Sequence, residues 1–284
     1  GRAIMNLSNL HIERIVRMAL EEDLGHGHDI TSDTLIPASE TATATLRARQ
    51  PGVLCGLMLA LTAFSLTDID FDMSVHKQDG DLLEPGDVIA EITGPARALL
   101  TAERVALNFL THLSGIATLT RQYVKEIEGT GAEICDTRKT IPGLRMFQKY
   151  AVSIGGGANH RFGLDDAILI KDNHIAIAGG IDQALNQAKM LAGHMVKIEI
   201  EVDTLEQLQA VINNGNADVV MLDNMAPEIL KQGIEMVEGR MAVEASGGVT
   251  IDTVRAIAET GVHYISAGAL THSAPALDIG LDIS

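Results

Sequence analysis

Basic side chains crowd one short stretch of this chain: Arg138, Lys139, Arg145, Lys149, His160, Arg161, Lys171 and His174. In most proteins such a cluster is a solvated face. Here two carboxylates, Glu201 and Asp223, follow it, and then two glycine-rich turns, Ser246-Gly247-Gly248 and Ala267-Gly268-Ala269. Backbone amides freed of side-chain bulk cradle a phosphate, and a pair of such turns favours that use over simple chain reversal. Arginine meets planar carboxylates with a two-pronged contact, whereas lysine meets a diphosphate as a mobile point charge. The cations therefore suit one or more strongly anionic groups. Three roles stand open for the carboxylates: a metal pair, a general acid and base, or acceptors for sugar hydroxyls. A ribose phosphate anchored at the glycine turns would present its hydroxyls there, which favours the third role, with a magnesium ion riding on the substrate.

The hydrophobic pattern shows what must position these residues. Ile12, Ile15, Val16, Ala19 and Leu20 recur at helical spacing, closed by Leu24-Gly25. Residues 41–49 alternate as a half-buried strand does, and Pro51-Gly52 makes a turn. Residues 80–92 read as two short strands around Pro85-Gly86, much like the small sheet units that carry swinging cofactors. No lysine sits at that turn, so the unit reads as scaffold. Helical periodicity then runs from 101 to about 127, and Gly115 is expected to divide it.

After Gly131 the pattern changes. Apolar or β-branched runs at 133–135, 167–170, 197–200, 219–222, 241–245 and 264–266 alternate with helical stretches at 181–191, 205–212 and 254–259. This predicts right-handed βαβ units and a parallel sheet. Six strands fall short of the eight of a full barrel, so an open or incomplete α/β barrel is expected. In such a fold the residues following each strand converge on one rim. Those residues are Asp136-Thr137-Arg138-Lys139, Lys171 to His174, Glu201, Asp223-Asn224, Ser246 to Gly248 and Gly268.

Composition narrows the function classes. A chain of 284 residues, 46% apolar and 21% charged, has the makeup of an ordinary globular protein with a sizeable core. A net charge of −17 opposes binding to nucleic acid or anionic membrane. No apolar run has the length of a membrane helix and no secretory signal is evident, so cytoplasmic residence is expected. Residues 1–4 precede Met5 and read as a cloning remnant, outside the fold reasoning. Cys55 and Cys135 lack metal-ligand spacing and read as buried, reduced thiols. His26 and His28, beside Asp29 on an early loop, read as a solvated turn and not as metal ligands.

Taken together, Asp136-Thr-Arg-Lys-Thr-Ile-Pro-Gly143, Asn159-His-Arg161, Ile170-Lys-Asp-Asn-His174, Met221-Leu-Asp-Asn-Met225, Glu244-Ala-Ser-Gly-Gly248 and Ser266-Ala-Gly-Ala-Leu-Thr-His-Ser273 resemble the quinolinate phosphoribosyltransferase family. The likeness runs from Glu22-Asp-Leu-Gly25 to the carboxyl end. It implies an N-terminal α+β sandwich domain over 1–115, rejoined by about 274–284, and a catalytic open α/β barrel over 116–273. It also implies a homodimer with shared active sites. Arg138, His160, Arg161 and Lys171 would hold the quinolinate carboxylates, with Arg104 supplied by the partner subunit and Thr137 among the binding residues. Lys139 and Lys171 would face the diphosphate, Glu201 and Asp223 the ribose hydroxyls, and the turns at Ser246, Gly247, Gly248, Ala267, Gly268 and Ala269 the 5′-phosphate. Lys139, Lys171, Glu201 and Asp223 would carry the catalysis.

The implied reaction moves phosphoribosyl from phosphoribosyl pyrophosphate to quinolinate with decarboxylation, giving nicotinate mononucleotide, diphosphate and carbon dioxide. Magnesium would travel with phosphoribosyl pyrophosphate. Ala267 stands where the family often has a bulkier residue, a small departure because the backbone does the binding. Three rivals stand beside this reading. One is an aldolase-like barrel using Lys171 or Lys197 as a Schiff-base amine. The others are a molybdenum-associated homologue with a different acceptor and a phosphosugar-binding regulatory protein without turnover.

Overall fold

Ser8 opens the first helix, α1 (Asn9–Leu24), by accepting the N–H of Leu10 at 3.2 Å, and Gly25, at φ 63°, closes it. This computed structural model describes residues 6–284, so residues 1–4 lie outside it. Helix α1 buries Ile12, Ile15, Val16 and Leu20, the stripe that its periodicity predicts. There follow α2 (Ile30–Leu35), β1 (Thr41–Ala48), β2 (Gly52–Val53), α3 (Leu57–Thr67), β3 (Asp72–Val75), β4 (Leu82–Leu83), β5 (Val88–Pro95) and α4 (Ala96–Glu126). Next come β6 (Glu133–Cys135), α5 (Arg145–Ile154), β7 (Ile168–Ile170), α6 (Asp172–Ala178), α7 (Ile181–Leu191), β8 (Ile198–Val202) and α8 (Leu205–Asn214). The chain finishes with β9 (Val219–Asp223), α9 (Pro227–Val237), β10 (Ala242–Ser246), α10 (Val254–Ala258), β11 (Tyr264–Ser266), α11 (Ala269–His272) and β12 (Ile279–Ile283).

Two compact units result. One takes the chain up to Arg121 together with Phe147–Gly156 and Ala274–Ser284; the other takes Gln122–Met146 and Gly157–Ser273. Thus 116–121 and 147–156 fall with the first unit.

The first unit holds an antiparallel sheet in the order β12-β1-β5-β3, so the carboxyl-terminal strand returns to the amino-terminal sheet. Strand β4 pairs with β2, and β5 with β1. The two strands around Pro85-Gly86 therefore belong to different sheets and do not form one hairpin. Gly115 does not divide α4, which runs unbroken through it. Its role is close approach: a Cβ there would meet the carbonyl oxygen of Pro275 at 2.1 Å.

In the second unit six parallel strands lie in the order β6-β11-β10-β9-β8-β7. Among the described residues β6 and β7 do not pair, so the barrel stays open between them. Ala158 runs beside β6 in that gap, donating its N–H to Ile134 O at 2.7 Å and accepting that of Asp136 at 3.2 Å. The segment Asn159-His160-Arg161 is thereby brought to the opening.

Alternation along the central strands separates core from site. Ile198, Ile200, Val202, Val220, Leu222, Val243 and Ala245 are buried on one face, and burying each larger one stabilises the unit by about 1.5–3 kcal/mol. Glu199 and Glu201, Met221 and Asp223, and Glu244 and Ser246 occupy the alternate positions. Among the described residues no helix is long and apolar enough to cross a membrane.

Candidate active site

The carboxyl ends of the parallel strands surround a cleft of about 660 Å³, within the range of small-molecule sites. Thr137, Arg138, Lys139, His160, Arg161 and Lys171 line one part of it, and Glu201 and Asp223 another. Ser246, Gly247, Gly248, Ala267, Gly268 and Ala269 line the remainder. Each of these residues was expected there from the sequence. Arg104 is exposed on α4 of the first unit and is not among the lining residues. Three members of the basic stretch also lie elsewhere. Lys149 is buried in the first unit; Arg145 donates to Thr140 Oγ1 at 3.0 Å and to Phe162 O at 3.1 Å. His174 accepts the N–H of Lys171 at 2.9 Å through Nδ1, fixing the start of α6.

The cationic part has the features of an anion site. Arg138 and Arg161 each bury an Nε donor that has no hydrogen-bond partner among the described residues. A buried unsatisfied donor costs on the order of 1–3 kcal/mol, which an entering carboxylate would offset. Burial and the neighbouring Arg138 charge both hold the Arg161 pKa below the usual arginine range. Lys139 is placed by its backbone: its N–H donates to Thr137 Oγ1 at 2.9 Å and its carbonyl accepts from Thr271 Oγ1 at 2.6 Å.

Opposite in sign stand Glu201, Asp203 and Asp223, whose carboxylates converge within 4.8 Å. Burial raises the Glu201 pKa and the Asp223 charge raises it further, against the opposing effect of Lys171. Ser246 Oγ donates to Asp223 Oδ1 at 2.9 Å, joining this group to the first glycine turn.

That turn needs its glycines. Gly247 and Gly248 lie at φ 85° and 65°, and a Cβ on Gly247 would meet Asn224 N and Asp223 Oδ1, both at 3.1 Å. Gly268 lies against Lys139, whose Cδ a Cβ would meet at 2.8 Å. Helix α10 begins at Val254, after a turn in which Thr250 N donates to Thr253 Oγ1 at 2.9 Å.

Beneath His160 lies an acidic pair that the sequence reading did not single out. His160 Nε2 is 2.8 Å from Glu199 Oε1 and 3.3 Å from Glu244 Oε1. Burial would lower the His160 pKa, but the hydrogen bonds and charges of Glu199 and Glu244 outweigh it and push the value up to about 10. Burial also raises the pKa of Glu244, to about 7. Asp136, placed on the rim by the sequence, is in fact wholly buried; it accepts from Asn159 Nδ2 and from His160 N, each at 2.7 Å. Cys55 and Cys135 are both buried, and the exposed His28 pairs with Asp33.

Comparisons with known proteins agree with this geometry. The family model described as Quinolinate phosphoribosyl transferase, C-terminal domain, matches residues 116–282, and that for the N-terminal domain matches 29–114. A Bacillus subtilis relative named "Probable nicotinate-nucleotide pyrophosphorylase (carboxylating)" is 46% identical over 278 residues, covering 98% of this chain and 95% of its own. The Mycobacterium leprae nicotinate-nucleotide pyrophosphorylase (carboxylating) is 42% identical, over 94% of this chain and 95% of its own. The crystal structure of NadC from Streptococcus pyogenes superposes with a TM-score of 0.94 at 40% identity, covering 99% of both chains. With both halves matched and relatives this similar along nearly the full length, the chain belongs to the quinolinate phosphoribosyl transferase family.

Proposed function

We propose that the protein transfers phosphoribosyl from phosphoribosyl pyrophosphate to quinolinate with decarboxylation, forming nicotinate mononucleotide, diphosphate and carbon dioxide. One observation carries this reading. The Nε donors of Arg138 and Arg161, buried and without a hydrogen-bond partner among the described residues, share a cleft with the Glu201–Asp223 carboxylates and two glycine turns. These are sites for a dicarboxylate, sugar hydroxyls and a phosphate, in one cavity.

In the reaction the pyridine nitrogen bonds to the anomeric carbon as the bond to diphosphate breaks, and positive charge develops on the ribose. Glu201 and Asp223 accept hydrogen bonds from the ribose hydroxyls and stabilise that charge, while Lys139 and Lys171 meet the departing diphosphate. Arg138, His160, Arg161 and Lys171 hold the two carboxylates, and Thr137 completes this wall. The bond from C2 to its carboxylate then breaks; its electron pair stays on C2 beside the cationic ring nitrogen, and a proton takes the place of carbon dioxide. The backbone amides at Ser246–Gly248 and Ala267–Ala269 hold the 5′-phosphate throughout. Magnesium enters as part of the substrate, bound to its diphosphate.

The same reading makes the protein a cytoplasmic homodimer in which Arg104 completes the partner's site. The exposure of Arg104 on α4 and its absence from this chain's own cleft support that assignment. Quinolinate labelled in its 2-carboxylate tests the reaction. Labelled carbon dioxide should appear in step with diphosphate, and diphosphate release with the label retained would overturn the decarboxylating step.

A further inference from the structure

The mechanism above uses His160 as one of several cations but gives no work to the two glutamates behind it. Glu199 is 7% exposed and Glu244 2%, and neither lines the cleft, so neither touches a substrate there. Mid-strand carboxylates at such depth cost several kcal/mol each unless a cation answers them. The register explains why they meet. Glu244 on β10 is registered with Met221 on β9 and Glu199 on β8 with Val219, two residues earlier on β9, and all occupy the face of the sheet that also carries Glu201, Asp223 and Ser246.

We propose that Glu199 and Glu244 are positioning residues that hold His160 as a fixed imidazolium, so that this cation persists at the acceptor's carboxylates across the neutral range. The inference rests on the acceptor reading given above.

Several charged groups bear on His160. Glu199 and Glu244 face its Nε2, at 2.8 and 3.3 Å, and Asp136, at the end of β6, accepts its backbone N–H at 2.7 Å. Arg161 follows it in sequence, and Arg138 and Lys171 share the cleft with it. Two buried carboxylates around one ring nitrogen outweigh the cations, which lie toward the open side. A neutral imidazole would leave both without a counter-charge. Glu244 also buries an Oε2 atom with no hydrogen-bond partner among the described residues, so its charged form is the less well held of the two. The shorter contact makes Glu199 the principal holder.

The consequence concerns selectivity. An ordinary histidine, with a pKa of about 6.5, would lose its charge across the neutral range, and the acceptor's second carboxylate would lose a partner with it. A histidine clamped by two acids keeps the discrimination constant.

Nitrogen-15 NMR of histidine-labelled full-length enzyme tests this directly, with the His160 ring assigned by its loss in His160→Asn. Between about pH 5.5 and about pH 9 the wild-type ring should keep imidazolium shifts, and in Glu199→Gln a transition should appear near the ordinary value of about 6.5. Glu244→Gln should bring a smaller change. In step, KM for quinolinate should stay flat with pH in the wild type and rise roughly tenfold from about pH 6 to about pH 8 in Glu199→Gln, with recovery at low pH. A merely structural glutamate would change stability without creating that pH dependence. A wild-type His160 that titrates near neutrality overturns the proposal, as does a Glu199→Gln spectrum unchanged from wild type. Ring shifts that move on adding a chelator would reveal a metal in place of the imidazolium and overturn it too. Should Glu199→Gln fail to fold, the wild-type titration alone decides. Because the spectrum is read on free enzyme, a failure of quinolinate turnover would strike the acceptor reading and leave this measurement separate.

Discussion

Ser246 Oγ donates to Asp223 Oδ1 across 2.9 Å, tying the glycine turn after β10 to the carboxylate after β9. The two residues are direct neighbours in the parallel ladder, so the phosphate end of the proposed substrate and the ribose carboxylate are aligned by one pair of strands. Hydrogen bonds to charged groups are worth about 1.5–3 kcal/mol, so Ser246→Ala should lower kcat/KM roughly 10- to 100-fold. Thermal unfolding should show the same midpoint as wild type, since the bond lies at the rim. A variant with wild-type kinetics would remove Ser246 from the alignment of Asp223.

Glu201→Ala and Asp223→Ala should each damage turnover and leave the fold intact. Losing a charged hydrogen bond that strengthens in the transition state costs on the order of 2 to 4 kcal/mol. The cost should appear mainly in kcat, measured with both substrates saturating. Wild-type rates in both variants would exclude the sugar-binding role.

Asp136 should behave differently, because it is wholly buried and holds both Asn159 and the backbone of His160. Asp136→Ala orphans the His160 N–H, at about 1–3 kcal/mol for that group alone. It also frees the segment that fills the open side of the barrel. Both the unfolding midpoint and the affinity for quinolinate should fall, and calorimetry with urea denaturation reads both. A stable variant with unchanged affinity would contradict the placement of His160 and Arg161 by this carboxylate.

These variants mark how much could be read from the sequence. The parallel strands were legible because apolar runs of three to five residues alternate with amphipathic helices, and their chemistry stands at the carboxyl ends where position alone exposes it. The opening of the barrel was legible from the strand number. Glu199 and Glu244 were not singled out, although Ile198-Glu199-Ile200-Glu201 puts both glutamates on one face of β8. That alternation was the available signal; its partner, His160, lies far off in sequence, and only the fold brings them together. Gly115 was misread as a break because sequence shows a missing side chain but not the Pro275 backbone that occupies its space. The two short strands around Pro85-Gly86 were legible, but local pattern does not fix which strand pairs with which, and β4 pairs with β2 while β5 pairs with β1.

Stability should fall with rising pH through the His160 cluster. The folded His160 pKa of about 10 lies above its ordinary 6.5, so its contribution is complete below about 6.5 and lost as pH climbs to about 10. Glu244, raised by burial from 4.5 to about 7, adds a loss as it is charged between those values. Urea midpoints for wild type and Glu244→Gln, measured across this range, should diverge less at the acid end than near pH 7. Parallel profiles would contradict the assignment of the lower limb to Glu244.

The shared site of the proposed dimer can be tested by complementation. Arg104→Ala and Arg138→Ala homodimers should each be nearly inactive, since either removes a cation from every site. After unfolding, mixing and refolding, half the dimers are mixed and one site in each is intact, so roughly a quarter of wild-type activity should return. Exchanged subunits with no recovery would remove Arg104 from the partner's site.

The central claim is that this cleft is built for a dicarboxylate acceptor and a phosphoribosyl donor. Diphosphate release from phosphoribosyl pyrophosphate, with magnesium present, should be measured with quinolinate beside nicotinate, nicotinamide and no acceptor. A site whose cations are left unpaired when one carboxylate is missing should turn over quinolinate and give almost no release with the other three. Equal rates with quinolinate and nicotinate, or no release with any acceptor, would contradict the account.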